Sequence, residues 1–169
     1  SLRAGPNPDK HWQDQSNTQL ALLALWQASQ HGFDVPRGIW TRAEKNLVES
    51  QNADGGWGYA LRDESDIPAE LRLSYGTMTA AGVASVELIV DRLYAAEELT
   101  YNGRLAAKCG QPPAKSAALR GAADRAVAWL SAQFALRMIP GAPPRPEVDG
   151  RVDARETLTG FYQWQLARA

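Results

Sequence analysis

The chain has one cysteine, Cys109, and two histidines, His11 and His31, among 169 residues. A lone cysteine rules out a disulfide within the chain, and it leaves the redox compartment open. The three residues show no metal-ligand spacing, so neither a metal nor a cofactor is expected. An excess of either charge is also missing. Eighteen Lys and Arg against nineteen Asp and Glu leave a formal net charge of −1. That excludes the electrostatic footprint expected of a nucleic-acid binder or of a protein drawn to anionic membranes. Long apolar runs are lacking as well. Leu20–Trp26 is too short to span a bilayer, and Met78–Leu93 carries Glu87 and Asp91, so no transmembrane helix is expected. No signal peptide is visible. The Gly/Pro-containing start and the helical pattern running to Ala169 are compatible with a piece of a longer chain, so localisation is left unknown.

What the chain does have is helical periodicity. Asp14, Ser16 and Asn17 are good N-cap residues. From Thr18 to about His31, Leu20, Leu22, Leu23, Leu25 and Trp26 fall on every side, which predicts a helix buried nearly all round and ended by Gly32. Pro36 suits the first turn of a second helix, which runs to about Gln51. There Trp40, Ala43 and Leu47 form one stripe and charged residues fill the rest. Residues 60–74 read as charged and irregular around Pro68. Thr77–Glu97 reads as a second helix buried on most sides, with Ala80, Ala81, Gly82, Ala84 and Ser85 allowing close packing. Residues 99–114 read as a loop with Gly103, Gly110, Pro112 and Pro113. A fourth helix, about Lys115–Leu136, is amphipathic, with Leu119, Ala123, Ala126, Leu130 and Phe134 on its stripe. A Pro-rich loop leads to a last, aromatic-rich helix, Arg155–Arg168.

Buried and half-exposed helices therefore alternate. Two concentric layers of helices need that alternation, and a simple bundle does not. Internal similarity points the same way. Thr18-Gln-Leu-Ala-Leu-Leu-Ala-Leu lines up with Thr79-Ala-Ala-Gly-Val-Ala-Ser-Val, and Arg42-Ala43…Asn46-Leu47 with Arg125-Ala126…Trp129-Leu130. This gives a single partial domain over 1–169, with one repeat at about 14–75, a second at about 76–153 and the start of a third at about 154–169.

Between the second and third helices lies Gln51-Asn52-Ala53-Asp54-Gly55-Gly56-Trp57-Gly58-Tyr59. Its glycines allow positive φ and close backbone approach, and Asn52 and Asp54 are turn formers. With the preceding Arg42-Ala43-Glu44-Lys45-Asn46-Leu47, this stretch resembles the QW-type repeat of the squalene–hopene cyclase and protein prenyltransferase superfamily. Asn46 stands where that repeat usually has an aromatic residue, and Trp129 supplies the aromatic in the second unit. Asp14-x-Ser16-Asn17-Thr18-Gln19 and Met78-Thr79-Ala80-Ala81-Gly82 resemble stretches of bacterial proteins with prenyltransferase or squalene-oxidase-type repeats. The resemblance covers about 14–97 well and 119–168 loosely.

The resemblance implies an all-α fold: an arc of an α/α toroid with alternating inner and outer helices. It also implies a mainly structural role for Gln51, Asp54, Gly55, Gly56 and Trp57. In such a clamp the glutamine amide serves a helix end and the indole shields it. Catalytic residues stay unknown. The Asp-x-Asp-Asp acid of the cyclases is missing, since Asp63-Glu64-Ser65-Asp66 is a different pattern and reads as a solvated loop. The zinc ligands of the prenyltransferases are missing too, and Cys109-Gly110-Gln111 is too short for the thioester site of other toroid proteins. Trp26, Tyr59 and Tyr75, with the i,i+4 pair Glu87 and Asp91, are the candidate lining for an apolar isoprenoid-like ligand. Packing in the core, or on the one wet edge of a helix, is the alternative for each. The expected role is a non-catalytic scaffold or binding segment, and the alternative is part of a squalene-type cyclase whose acid lies elsewhere. Either way, the open edge of the arc needs cover from the rest of the chain or from a second copy.

Overall fold

The computed structural model describes residues 15–60, 69–94, 99–101, 104–106, 115–135, 138–142 and 159–167. Among the described residues five α-helices carry the packing: α1 (Gln15–Gln30), α2 (Arg37–Ser50), α3 (Gly76–Tyr94), α4 (Ala117–Ala132) and α5 (Thr159–Leu166). A short 3-10 turn covers Ala69–Leu71. The described core is all helical. Two three-residue strands, β1 (Leu99–Tyr101) and β2 (Arg104–Ala106), pair antiparallel with each other, Tyr101 opposite Arg104. This corrects the loop expected over 99–114. The overlooked signal is Asn102-Gly103 in the sequence between them, the residue pair that favours a tight hairpin.

α3 is the hub, packing against α1, α2, α4 and α5, while α2 also touches α4. Its sequence explains the position. Ala80, Ala81, Gly82, Ala84 and Ser85 are all buried, and small side chains let several helices approach at once. Val83, Val86, Ile89 and Val90 then fill the gaps, each no more than 2% exposed. At Gly82 a Cβ would lie 2.3 Å from the Trp57 ring, so the helix is notched to seat that indole.

α1 departs from expectation. Its buried residues are Gln15, Gln19 and Leu22, while Leu20 is 45% exposed and Ala21 and Ala24 are exposed too. A helix with leucines all round was read as buried all round, but only the stripe facing α3 is covered. Periodicity reports which faces are apolar, whereas burial needs a neighbour on each. α1 also starts before Thr18, so Ser16 and Asn17 lie inside its first turn. Its end follows the sequence: Gly32 has φ +87°, the Gly32 N–H donates to Ser29 O and the Phe33 N–H to Ala28 O, a Schellman stop.

α4 ends at Ala132, so Phe134 falls beyond the helix and is 56% exposed. It therefore leaves the apolar stripe assigned to it. Gln133 already has non-helical angles, its N–H donating to Trp129 O. The chain then returns to the start of α3, where the Gly76 N–H donates to Pro140 O at 2.8 Å.

Candidate functional site

Among the described residues the Gly-Gly-Trp loop is densely bonded, and its polar groups reach three helices. α2 stops at Gln51, whose φ of −66° and ψ of 129° turn the chain into extended backbone. Asn52 and Gly55 close the turn: the Gly55 N–H donates to Asn52 O, and the Asn52 N–H to Gly56 O. Gly55 has φ +92°, and a Cβ there would lie 2.9 Å from Arg125 O on α4. Both conditions call for glycine.

Gln51 points at α4. Its Nε2 donates to Gly55 O at 2.8 Å and to Ala122 O at 2.7 Å. Its Oε1 accepts from Arg125 Nη2 at 2.6 Å and Nε at 3.1 Å. One carboxamide thus uses both donors and its acceptor, and it joins the end of α2 to the middle of α4. Asp54 works beside it. Its Oδ1 accepts from the Ser74 hydroxyl at 2.6 Å and the Gly56 N–H at 3.0 Å, and its Oδ2 from Trp129 Nε1 at 3.0 Å. Burial pushes the Asp54 carboxyl up, but the bonds from Ser74, Gly56, Trp129 and its own backbone outweigh that and hold it below its ordinary value.

Trp57 faces the other way, fully buried. Its Nε1 donates to Leu47 O at 3.0 Å, satisfying one of the last four carbonyls of α2, which have no partner within the helix. Its backbone N–H donates to Thr79 Oγ1 at 3.1 Å on α3. The motif is therefore two fasteners in one loop. Gln51 and Asp54 hold α4, and Trp57 holds α2 to α3. Asn52, read as a turn former, also donates through Nδ2 to Arg72 O at 2.8 Å and Ser74 Oγ at 2.9 Å.

Arg125, Trp129 and Ser74 complete this network, and sequence reasoning did not pick them out as its partners. The alignment of Arg42-Ala43…Asn46-Leu47 with Arg125-Ala126…Trp129-Leu130 did contain a signal, because it put an aromatic on α4 where α2 has Asn46. Trp129 is that residue, and it bonds to Asp54.

The candidate ligand residues do not gather in one place. Trp26 Nε1 donates to Asp91 Oδ2 at 2.7 Å, which joins α1 to α3. Glu87, one turn away, lies 4.0 Å from Arg120 Nη1 on the α4 side and lines an open groove with Val83, Arg120, Gly121 and Asp124. Both carboxylates are exposed, so they sit on the one wet edge of α3. Tyr59 and Tyr75 are half-buried against the core on either side of the loop's connection to α3. Among the described residues no three of His, Cys, Asp and Glu cluster as metal ligands. Cys109 and Asp63-Glu64-Ser65-Asp66 lie outside the described residues. No described helix is long and apolar enough to cross a membrane.

Compared with protein-family models, curated proteins and solved structures, the chain finds no significant match in any of the three.

Proposed function

We propose that this chain is an arc of an α/α toroid of the squalene–hopene cyclase and prenyltransferase kind, acting as a scaffold or binding segment rather than as a catalyst. The observation that carries the reading is the double fastening by one Gln-x-x-Asp-Gly-Gly-Trp loop. A loop that ties its own helix to the next outer helix through Gln51, and to the inner helix through Trp57, is what a stack of layered hairpins requires. In this arrangement α1, α3 and α5 form the inner layer and α2 and α4 the outer one. The contacts of α3 with all four other helices, and of α2 with α4, support it.

The exposed Leu20, Ala21 and Ala24 on α1 are then the open edge of the arc, covered by more of the same protein or by a second copy. A crystal structure of the protein with its adjoining sequence tests the architecture. Further helix pairs continuing the two layers past α1 or α5 support it, and a closed five-helix bundle with α1 solvated would sink it. The second reading, part of a squalene-type cyclase, gains only if adjoining sequence carries Asp-x-Asp-Asp and the protein turns squalene into a cyclic product.

A further inference from the structure

The loop that ends α2 grips α4 on one defined face, and the same face recurs on α2. Residues 37–47 and 120–130 align without a gap: Arg37-Gly38, Arg42-Ala43 and Leu47 stand where α4 has Arg120-Gly121, Arg125-Ala126 and Leu130. The register is shared in space as well. Trp40, Ala43 and Leu47 are buried on α2, and Ala123, Ala126 and Leu130 are buried at the matching places on α4. Both helices pack against α3. Two helices whose core-facing residues coincide present their remaining faces in the same order.

The arginine is also placed alike. A Cβ at Gly38 would lie 3.8 Å from Arg42 Nη1, and one at Gly121 would lie 3.6 Å from Arg125 Nη1, so each guanidinium lies back over the glycine four residues before it. On α4 this arrangement holds the loop. Arg125 donates through Nε and Nη2 to Gln51 Oε1, while Gln51 Nε2 donates to the Ala122 carbonyl. The matching groups on α2 are the Arg42 guanidinium and the Ile39 carbonyl. Arg37, Gly38 and Arg42 are all exposed. Charged residues on the wet face of an amphipathic helix are ordinary. Solvation alone asks only for a polar residue, however, and not for an arginine over a glycine in register with the core.

The occupied face defines what the empty one would take. Gln-x-x-Asp-Gly-Gly occurs once in residues 1–169, at 51–56, and that loop is already bonded to α4. A second copy of the chain has its own loop bonded in the same way. We propose that the Arg37, Gly38 and Arg42 face of α2 is a docking site for a helix-ending loop of Gln-x-x-Asp-Gly-Gly pattern supplied from outside residues 1–169. The incoming glutamine accepts from Arg42 and donates to the Ile39 carbonyl, as Gln51 does with Arg125 and Ala122. Asn46 stands where α4 has Trp129, so the contact rests on the arginine and the carbonyl rather than on an indole. The site rests on the layered reading above and adds to it the side of α2 where a neighbour attaches.

The test adds a peptide of residues 43–59 to the whole chain and follows the amide shifts by NMR. A lactam between the exposed Lys45 and Glu49 side chains holds the peptide's helix end. Saturable shifts over residues 37–46 are expected. Arg42→Ala in the protein, or Gln51→Ala in the peptide, should weaken binding at least about tenfold. Arg42→Lys should weaken it too, because an ammonium lacks the guanidinium fork. No saturable shifts, shifts confined to α4, or unchanged binding by Arg42→Ala would overturn the proposal. A dimer of the unaltered chain that Arg42→Ala dissolves would overturn it in favour of a second copy. The crystal structure named above decides the layered architecture separately, so a peptide that fails to bind removes this site and leaves that architecture standing.

Discussion

The ends of α2 and α4 are the same structural event solved in two ways. α2 ends in a loop that bonds back onto its own last turn, onto α3 and onto α4. α4 ends in Gln133 and an exposed Phe134, and the chain next meets α3 at Pro140. Both helices pack against α3, so a helix needs no such loop to join the core. What the loop adds is a link between neighbours: Gln51, Asp54, Arg125 and Trp129 couple α2 to α4. The Gly-Gly-Trp stretch thus couples α2 to α4 through polar bonds, while apolar stripes hold each helix to α3.

Removing the buried indole should break the contrast most. Trp57→Ala is expected to cost about 3–5 kcal/mol, whereas Phe134→Ala, although also an aromatic at the end of a helix, should stay within about 0.5 kcal/mol. Chemical denaturation of both variants measures the difference, and equal losses would erase the distinction between the two ends. Gly82→Ala should come next, at about 1–3 kcal/mol, because the new methyl meets the Trp57 ring. Partial recovery on combining it with a smaller residue at position 57 would tie the loss to that contact.

Gln51→Ala sharpens the comparison at a half-buried network. A loss of about 1 kcal/mol is expected, together with faster amide exchange at Gly55 and Gly56, and no change in exchange on that scale should reach the end of α4. The smallest effects are those of pH. The carboxyl of Asp54 is lowered in the folded chain, so its contribution is fully present above the ordinary value of 3.8 and is lost as pH falls through the folded value. Asp54→Asn should lower stability at neutral pH, where the ionised carboxylate contributes, and so flatten the acid side of the stability curve, the two proteins converging at low pH. At the other extreme, burial raises the Tyr162 phenol above its ordinary value of 10.0, so its contribution is present below that value and fades as pH rises through the folded one. Tyr162→Phe should remove that alkaline loss, and because the hydroxyl has no partner, the change should be near neutral at pH 7.

Much of the fold was legible from spacing alone. The existence and order of five helices, the glycine stop of α1, the amphipathic stripe of α2 through Trp40, Ala43 and Leu47, and the burial of α3 all follow from local periodicity and turn chemistry. The structural role expected of Gln51, Gly55 and Trp57 came from the resemblance to a QW-type repeat and not from spacing. The partners of the loop were not legible. Asp54 meets Ser74 twenty residues on and Trp129 seventy-five residues on, and nothing local in the sequence encodes a bond across that distance. The exposure of α1 and of Phe134 escaped for the complementary reason: an apolar residue marks a surface that can be buried, and only a neighbouring element buries it.

The sequence by itself determined which stretches are helical and which of their faces are apolar, since backbone angles and side-chain period are properties of neighbours along the chain. The tertiary structure alone decided which apolar faces are covered, and that Gln51 and Trp57 fasten different helices. Those outcomes depend on which distant surfaces meet, and burial and hydrogen bonding have no value until they do.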